Sequence, residues 1–161
     1  MSVSAFAERG GWRQFRECPL SLPFGGLPET GKTTLARAVA QERSATYLRI
    51  DTIEQALRSC GVLMGDDVGP AGHRIAYKVA ESNLLMGGMV VADSVNPLTV
   101  TRDAWRHVAA TTLSEIVEIE IACSDLTEHR RRVETHTADV PGLALPSWWD
   151  VVERDYEPWD R

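Results

Sequence analysis

The stretch Gly26-Leu27-Pro28-Glu29-Thr30-Gly31-Lys32-Thr33 decides how this sequence is interpreted. Its two glycines stand where a chain that turns tightly around an anion needs backbone angles that other residues avoid. Lys32 and Thr33 then supply a mobile cation and a hydroxyl, which suit the outer phosphates and a Mg²⁺ ion. The stretch therefore predicts a loop whose backbone N–H groups surround the phosphates of a nucleotide.

The residues on both sides of this loop strengthen the prediction. A short apolar run precedes it, and an amphipathic helix is predicted from Lys32 to Arg43. The helix would add the positive end of its dipole to the anion site. The alternative is a glycine turn that only starts a helix and binds nothing. We therefore expect ATP to be bound by the whole loop: Gly26, Leu27, Pro28, Glu29, Thr30, Gly31, Lys32, Thr33 and Thr34.

The rest of the chain alternates short apolar runs with helical patterns, as in a parallel α/β sheet. Strands are predicted at Leu20–Phe24, Thr46–Ile50, Met89–Ala92 and Ile116–Cys123. Helices are predicted at Lys32–Arg43, Thr52–Cys60, Gly72–Met86, Arg102–Thr111 and Asp125–His136, with a short one at Trp148–Arg154. Residues 1–17 are predicted to be an N-terminal extension, and residues 18–161 one domain with a lid near 125–147.

Two of the predicted strands carry unusual residues. Pro19 and Pro23 flank and enter the first strand, and neither has an N–H to donate, so a short or irregular strand is expected. The fourth strand alternates apolar residues with Glu118 and Glu120, which suits a strand with one wet face. We therefore expect the fourth strand near an edge of the sheet.

The loop and its surroundings resemble a known group of proteins. The run Gly25–Arg37 is similar to the start of the small P-loop kinases and AAA-type ATP-binding proteins, among them chloramphenicol phosphotransferase, gluconate kinase, zeta toxins and polynucleotide 5′-kinase. The likeness extends through Asp51 and through the run Val90–Asn96. It implies the three-layer α/β fold of P-loop NTPases, with a mostly parallel sheet flanked by helices.

Two acids follow predicted strands, where ligands of open α/β sheets bind. The resemblance implies that Asp51 is the base for the acceptor hydroxyl and that Asp93 is the acid on the side of the metal, with Thr33 as the other metal residue. The alternatives are structural: Asp51 and Glu54 fit a helix-capping pattern, and Asp93 could simply begin a turn.

An arginine-rich helix follows the fourth strand, at the place where the resembling kinases carry a lid. Arg130, Arg131 and Arg132 cannot all face one site, since helical neighbours point about 100° apart. We favour Arg132 as the catalytic arginine because it shares a face with His136. The alternative is a solvated helix face held by pairs between arginine and glutamate.

Three features depart from the pattern of the resembling kinases. Glu29 places a carboxylate in the loop, and we expect it to point outward, away from bound anions. His136 stands where those kinases often carry a second arginine, which predicts weaker or more pH-dependent clamping of phosphate. The resemblance also implies a C-terminal strand and helix, which we expect this chain to lack before Arg161. The fourth strand would then be exposed, and residues 1–17 or a second copy of the chain would cover it.

Composition limits the classes of partner. The net charge of −6 argues against a nucleic acid partner held by bulk electrostatics. No apolar run approaches the roughly 20 residues that span a bilayer, and the three widely spaced cysteines suit reduced thiols, so a cytoplasmic location without a membrane partner is expected. The aromatics Trp148, Trp149, Tyr156 and Trp159 either line an acceptor pocket or pack a chain end.

Together these features predict an ATP- and Mg²⁺-dependent phosphotransferase that acts on a hydroxyl of a small molecule. A polynucleotide or nucleotide-sugar acceptor, or an antibiotic, would need the same residues. The alternative from another class is a nucleotide-binding switch or binding module with little or no transfer activity.

Overall fold

The computed structural model of the chain describes residues 18–61 and 68–159, so the predicted extension over residues 1–17 lies outside the described residues. The strands are β1 Leu20–Gly25, β2 Thr46–Arg49, β3 Met89–Asp93, β4 Glu115–Ile116 and β5 Ile119–Glu120. The helices are α1 Lys32–Glu42, α2 Ile50–Ser59, α3 Ala71–Leu85, α4 Thr99–Thr112, α5 Leu126–Thr135 and α6 Trp148–Val152.

The five strands form one parallel sheet in which β1 is central. Their order is β2-β3-β1-β4, and β5 pairs with β1 further along the same side. The register places Phe24 and Arg49 on either side of Asp93. The carboxyl ends of β1, β2 and β3 therefore meet beside the loop that follows β1, which is where open α/β sheets bind ligands.

Helices cover both faces of the sheet, as the α/β prediction requires. On one face, small residues of α1 pack against β1 and β3, through Ala36, Ala40, Leu22, Phe24 and Val91. On the other face, α3 and α4 pack against β2 and β3, through Ala76, Ala80, Leu84, Trp105, Val108, Leu48, Val90 and Ala92. The predicted three-layer fold is confirmed, and none of the helices in the described ranges has the length and apolar character needed to cross a bilayer.

The prolines do not shorten β1, contrary to expectation. This strand runs over six residues and pairs with β3 without a break. The carbonyl groups of Pro19, Ser21 and Gly25 accept hydrogen bonds from the side of β4 and β5, so alternate residues face that side. Pro23 also faces the side of β4 and β5 but has no N–H to donate to them. The interruption between β4 and β5 lies opposite this proline.

The fourth predicted strand is therefore corrected. Instead of one strand over Ile116–Cys123, two strands of two residues each pair with β1, at Glu115–Ile116 and Ile119–Glu120. Their place at the edge of the described sheet is as predicted. Pairing of a second copy along this edge stays a prediction, and the short ladder and its glutamates offer little for a partner strand to bind.

A buried arginine on α4 holds the last described residues against the sheet. The Arg102 side chain is 3% exposed, and its guanidinium donates to the carbonyl oxygens of Pro97, Glu157 and Pro158 at 3.1 to 3.3 Å. It also lies 5.2 Å from the centre of the Trp159 ring. Trp159 therefore packs against Arg102. For this aromatic residue, the packing interpretation is favoured over a place in an acceptor pocket.

Replacing Arg102 by methionine should lower the free energy of unfolding by about 3 kcal/mol, because several partly buried carbonyls would lose their charged donor. Urea unfolding followed by tryptophan fluorescence measures the change. Arg106→Met is the matched control, since Arg106 lies one turn later, is 43% exposed and pairs with Glu118 on the surface. It should cost less than about 1 kcal/mol. Equal losses in the two variants would contradict this role for Arg102.

Candidate active site

The loop between β1 and α1 has the backbone that its glycines predict. Gly26 has φ 135° and Gly31 has φ 97°, both in the region that side chains disfavour. A Cβ atom on Gly26 would also run into the carbonyl oxygen of Ile121. Glu29 takes a left-handed conformation with φ 62°. The loop thus curls back toward the sheet, and its glycines are needed for that path.

Hydrogen bonds fix this loop in place. The N–H of Gly26 donates to the carbonyl oxygen of Val95 at 2.9 Å, which ties the loop to the segment after β3. Thr30 Oγ1 donates to the carbonyl oxygen of Leu27 at 3.0 Å. Helix α1 starts without a side-chain cap on Gly31, so its first N–H groups have no partner within the helix and suit an anion.

Lys32 is buried at the start of α1. It is 7% exposed, and its Nζ donates to the carbonyl oxygen of Leu27 at 3.2 Å. Burial lowers the pKa of this ammonium, and the carboxylates of Asp93, Asp51 and Glu29 act in the opposite direction. A cation held inside the loop and surrounded by acids is placed to exchange its carbonyl partner for a phosphate oxygen.

Asp93 ends β3 beneath this loop. Its side chain is 2% exposed and accepts a hydrogen bond of 2.7 Å from the Tyr47 hydroxyl. Burial raises the pKa of Tyr47, and the neighbouring carboxylate of Asp93 raises it further. Asp93 is not among the residues that line the cleft above the loop. Asp93 is hydrogen-bonded to Tyr47 of β2, so its role is not limited to beginning the turn that follows β3.

Asp51 lies in the first turn of α2, because β2 ends at Arg49 and not at Ile50 as predicted. The N-cap of α2 is Arg49, and no side chain caps the helix. The capping alternative for Asp51 is therefore not what the structure has. The Asp51 side chain is 43% exposed, lies 3.4 Å from Arg49 Nε and lines the cleft.

A cleft of about 600 Å³ opens above the loop and joins these residues. It reaches from the loop across α2 to the segment that follows α5. It is lined by Pro28, Glu29, Gly31, Lys32, Thr33, Thr34, Arg37, Arg49, Asp51, Glu54, Gln55, Arg58, Val95, His136, Asp139, Gly142, Leu143, Ala144, Leu145, Pro146 and Arg154. Six of the nine predicted loop residues thus face one space together with the predicted base Asp51, whereas Gly26, Leu27 and Thr30 do not line it.

Few of the described residues are placed to bind a metal ion. No group of three or more His, Cys, Asp or Glu side chains that could hold a metal ion occurs within residues 18–61 and 68–159. Mg²⁺ is commonly held by one or two protein oxygens together with phosphates and water. Thr33 in the cleft and Asp93 beneath it fit that kind of site.

Arg132 lies away from the cleft in this structure. Its Nε pairs with Glu128 Oε1 at 2.8 Å, and the side chain is 42% exposed. Arg131 shares the same glutamate, and Arg130 pairs with Glu134 at 2.7 Å. The three arginines thus form the solvated face that was the alternative interpretation, and a catalytic role for Arg132 stays a prediction.

The prediction for the side chain of Glu29 is wrong. It was expected to point outward, yet it lines the cleft, and its Oε2 lies 3.1 Å from His136 Nδ1. His136 ends α5, so this contact joins the loop to the predicted lid. The carboxylate of the loop thus faces a ring nitrogen of the predicted lid and not open solvent.

Several residues of the site were not found from sequence. His129 is 3% exposed, and its Nε2 lies 2.7 Å from the carbonyl oxygen of Pro28, which fastens α5 to the loop. Arg37, Arg49 and Asp139 form an ionic cluster in the cleft. One signal was available for Arg49, since it is a charge between the apolar residues of a buried strand. Asp139 lies in an irregular segment and gave no signal.

The arrangement of sheet, loop and helices is the α/β fold of P-loop NTPases, a nucleotide-binding fold that kinases also have. A family model described as "ATPase family associated with various cellular activities (AAA)" matches residues 22–75.

Comparison with solved structures gives the same fold. An APS kinase from Mycobacterium tuberculosis, solved in complex with AMPPNP and APS, superposes with a TM-score of 0.56 and 24% identity, over 73% of this chain and 70% of that one. A gluconokinase from Sinorhizobium meliloti gives a TM-score of 0.54 and 18% identity, over 74% of this chain and 66% of that one. At these identities the likeness is one of fold.

Curated relatives are known from mycobacteria. Uncharacterized proteins of Mycobacterium tuberculosis and Mycobacterium bovis are 34% identical over 111 residues, which is 62% of this chain. The matched region is 22% of the length of those relatives. The chain therefore spans about a fifth of the curated relatives that it matches.

Proposed function

We propose that this protein is an ATP- and Mg²⁺-dependent phosphotransferase that moves the γ-phosphate to a hydroxyl group of a small molecule. One observation carries the proposal: the Lys32 ammonium lies inside a loop bent by Gly26 and Gly31, and Asp51 lines the same cleft. The likeness in fold to kinases supports it. The three cysteines are free thiols, which suits the cytoplasmic location that we include in the proposal.

The loop residues would hold the nucleotide. Backbone N–H groups of the loop and of the first turn of α1, up to Thr34, would surround the inner phosphates, except those of Gly26, which is bonded to Val95, and Pro28, which has none. Lys32 would reach the outer oxygens in place of the Leu27 carbonyl. Thr33 would bind the metal directly and Asp93 through water, and the bound Mg²⁺ would neutralise charge on the phosphates. The buried position of Lys32 means that few water molecules need to be displaced when it pairs with phosphate.

Asp51 would act on the acceptor. Its carboxylate lines the cleft, so it can orient a hydroxyl and take its proton as the bond from oxygen to phosphorus forms. Arg132 would stabilise the charge on the transferred group after leaving Glu128. Breaking that exposed pair costs little, because solvent screens both charges.

The proposal is tested by incubating the full chain with MgATP and a library of small hydroxyl compounds, with phosphorus NMR as the readout. Transfer should give ADP and one phosphorylated product, and ADP should form much more slowly without an acceptor, because Asp51 then has no hydroxyl to deprotonate. A library that returns only inorganic phosphate, or unchanged ATP, would contradict transfer to a hydroxyl of this kind.

A nucleotide-binding module without transfer activity is the second candidate, and two observations favour it. Glu29 keeps a carboxylate in the cleft, and Arg132 is engaged outside it. Calorimetry separates the candidates, because a binding module should bind MgATP tightly and leave it intact with every acceptor. Tight binding together with turnover would exclude the module.

A further inference from the structure

One carboxylate in the cleft is held by two arginines from different elements. Arg49 at the end of β2 donates from Nη1 to the two carboxylate oxygens of Asp139 at 2.8 and 2.7 Å. Arg37, on α1 after the loop, donates from Nη2 to Asp139 Oδ2 at 2.8 Å. Two guanidinium groups that converge on one planar anion are the geometry by which proteins recognise carboxylate, phosphate and sulfate groups.

Arg49 is an unusual residue for its position. Its side chain is 9% exposed, and the residues before and after it, Leu48 and Ile50, belong to the apolar core. Burying a guanidinium in such surroundings is costly unless an anion compensates for it. Asp51 lies 3.4 Å away and is shared with solvent, so Asp139 supplies the close compensating charge. The fold thus maintains a nearly buried cation that opens into the cleft beside the predicted base.

The anion that fills this position belongs to the predicted lid. Asp139 follows α5 in an irregular segment, 102 residues beyond Arg37 and 90 beyond Arg49. Neighbouring residues of that segment, from Gly142 to Pro146, line the same cleft. The contact therefore draws the lid segment across the half of the cleft that contains Asp51.

We propose that Arg37 and Arg49 form a binding site for an oxyanion group of the acceptor, a carboxylate, phosphate or sulfate, which Asp139 occupies when no acceptor is bound. The assignment of this oxyanion to an acceptor rests on the proposed function, whereas the oxyanion site itself does not. The acceptor would then be a hydroxyl compound that carries its own negative charge. Its anion would displace Asp139, release the lid segment and place the hydroxyl near Asp51.

Protonation of Asp139 cannot free the two arginines in the way that a competing anion would. Hydrogen bonds from Arg49 and then Arg37 hold the pKa of Asp139 down at about 2. Asp139 therefore stays ionised at every pH at which the protein would be assayed. Only another anion, or removal of the charge by mutation, frees the two arginines.

Calorimetry in two steps tests the site on the full chain. AMPPNP and Mg²⁺ are added first, to fill the phosphate loop, and sodium sulfate, inorganic phosphate or sodium acetate is then titrated at constant ionic strength. Asp139→Asn should bind the preferred anion about tenfold more tightly than the unmodified chain, because the internal competitor loses its charge. The preference among the three salts identifies the kind of oxyanion.

Arg49→Gln and Arg37→Gln should each weaken this binding by about tenfold or more. Arg37 is 47% exposed, so its variant should fold even if the loss of Arg49 disturbs the core. Arg106→Gln is the matched control, an arginine on the surface of α4, and should leave anion binding unchanged.

Three results would overturn the proposal: equal anion affinity of the Asp139→Asn variant and the unmodified chain, affinity that does not depend on Arg37, or competition between sulfate and AMPPNP that the Arg37→Gln variant abolishes. The last would assign the arginines to the nucleotide. The first titration reports separately on the proposed function. If AMPPNP does not bind and sulfate still binds through Arg37, the kinase proposal fails and the oxyanion site stands.

Discussion

Replacing Lys32 by alanine should weaken the binding of MgATP at least about a hundredfold and abolish turnover. Lys32 is the buried cation of the loop, and its Nζ already lies against the backbone that would surround the phosphates. Without it, the outer phosphates would face the carboxylates of Asp51 and Glu29 with no cation of the loop between them. Calorimetry with MgATP measures the loss directly.

The matched control is Lys78→Ala, which removes an exposed lysine that pairs with Glu81 on α3. This variant should bind MgATP as the unmodified chain does. Thermal unfolding of both variants shows whether the fold is kept. Full affinity in the Lys32→Ala variant would show that the nucleotide, if it binds at all, binds elsewhere.

Replacing Asp51 by asparagine should lower turnover by about a hundredfold to ten-thousandfold, the usual range for a positioned general base. Binding of MgATP should change little, because the variant keeps the shape of the side chain and Lys32 keeps its place. The expected signature is thus a loss in kcat with intact affinity for the nucleotide. Steady-state assays with the acceptor found by library screening, together with calorimetry, separate the two quantities.

Asp103→Asn serves as the control for Asp51, since it removes an exposed carboxylate of α4 that pairs with Arg106. Its turnover should equal that of the unmodified chain. A small effect of Asp51→Asn, within about twofold, would move the role of base to another carboxylate of the cleft. Glu54 is then the first candidate, because it lines the cleft one turn later on α2.

The parts of the fold that are encoded locally could be predicted from sequence. Gly26 and Gly31 have backbone angles that restrict the choice of residue, so their spacing predicted the loop. The strands β1, β2 and β3 are short runs rich in apolar residues, and their ends were predicted to within one residue. Asp51 and Asp93 were predicted to lie near the loop because parallel strands end at a common edge.

The parts that depend on contacts between distant residues could not be predicted. The break between β4 and β5 depends on which neighbour Pro23 faces, and this follows from strand order. The pairing of Asp139 with Arg37 and Arg49 joins three elements that are far apart in the sequence. Glu29 was expected to avoid the anion site, and only its contact with His136 explains why it lines the cleft.

The most direct test of the phosphate-binding loop is an NMR titration of the isotope-labelled chain with MgATP, observed at the backbone amides. The largest changes in chemical shift should come from residues 27 and 29–34, whose N–H groups would face the phosphates, and they should disappear in the Lys32→Ala variant. Saturating MgATP that leaves those amides unchanged would contradict the account.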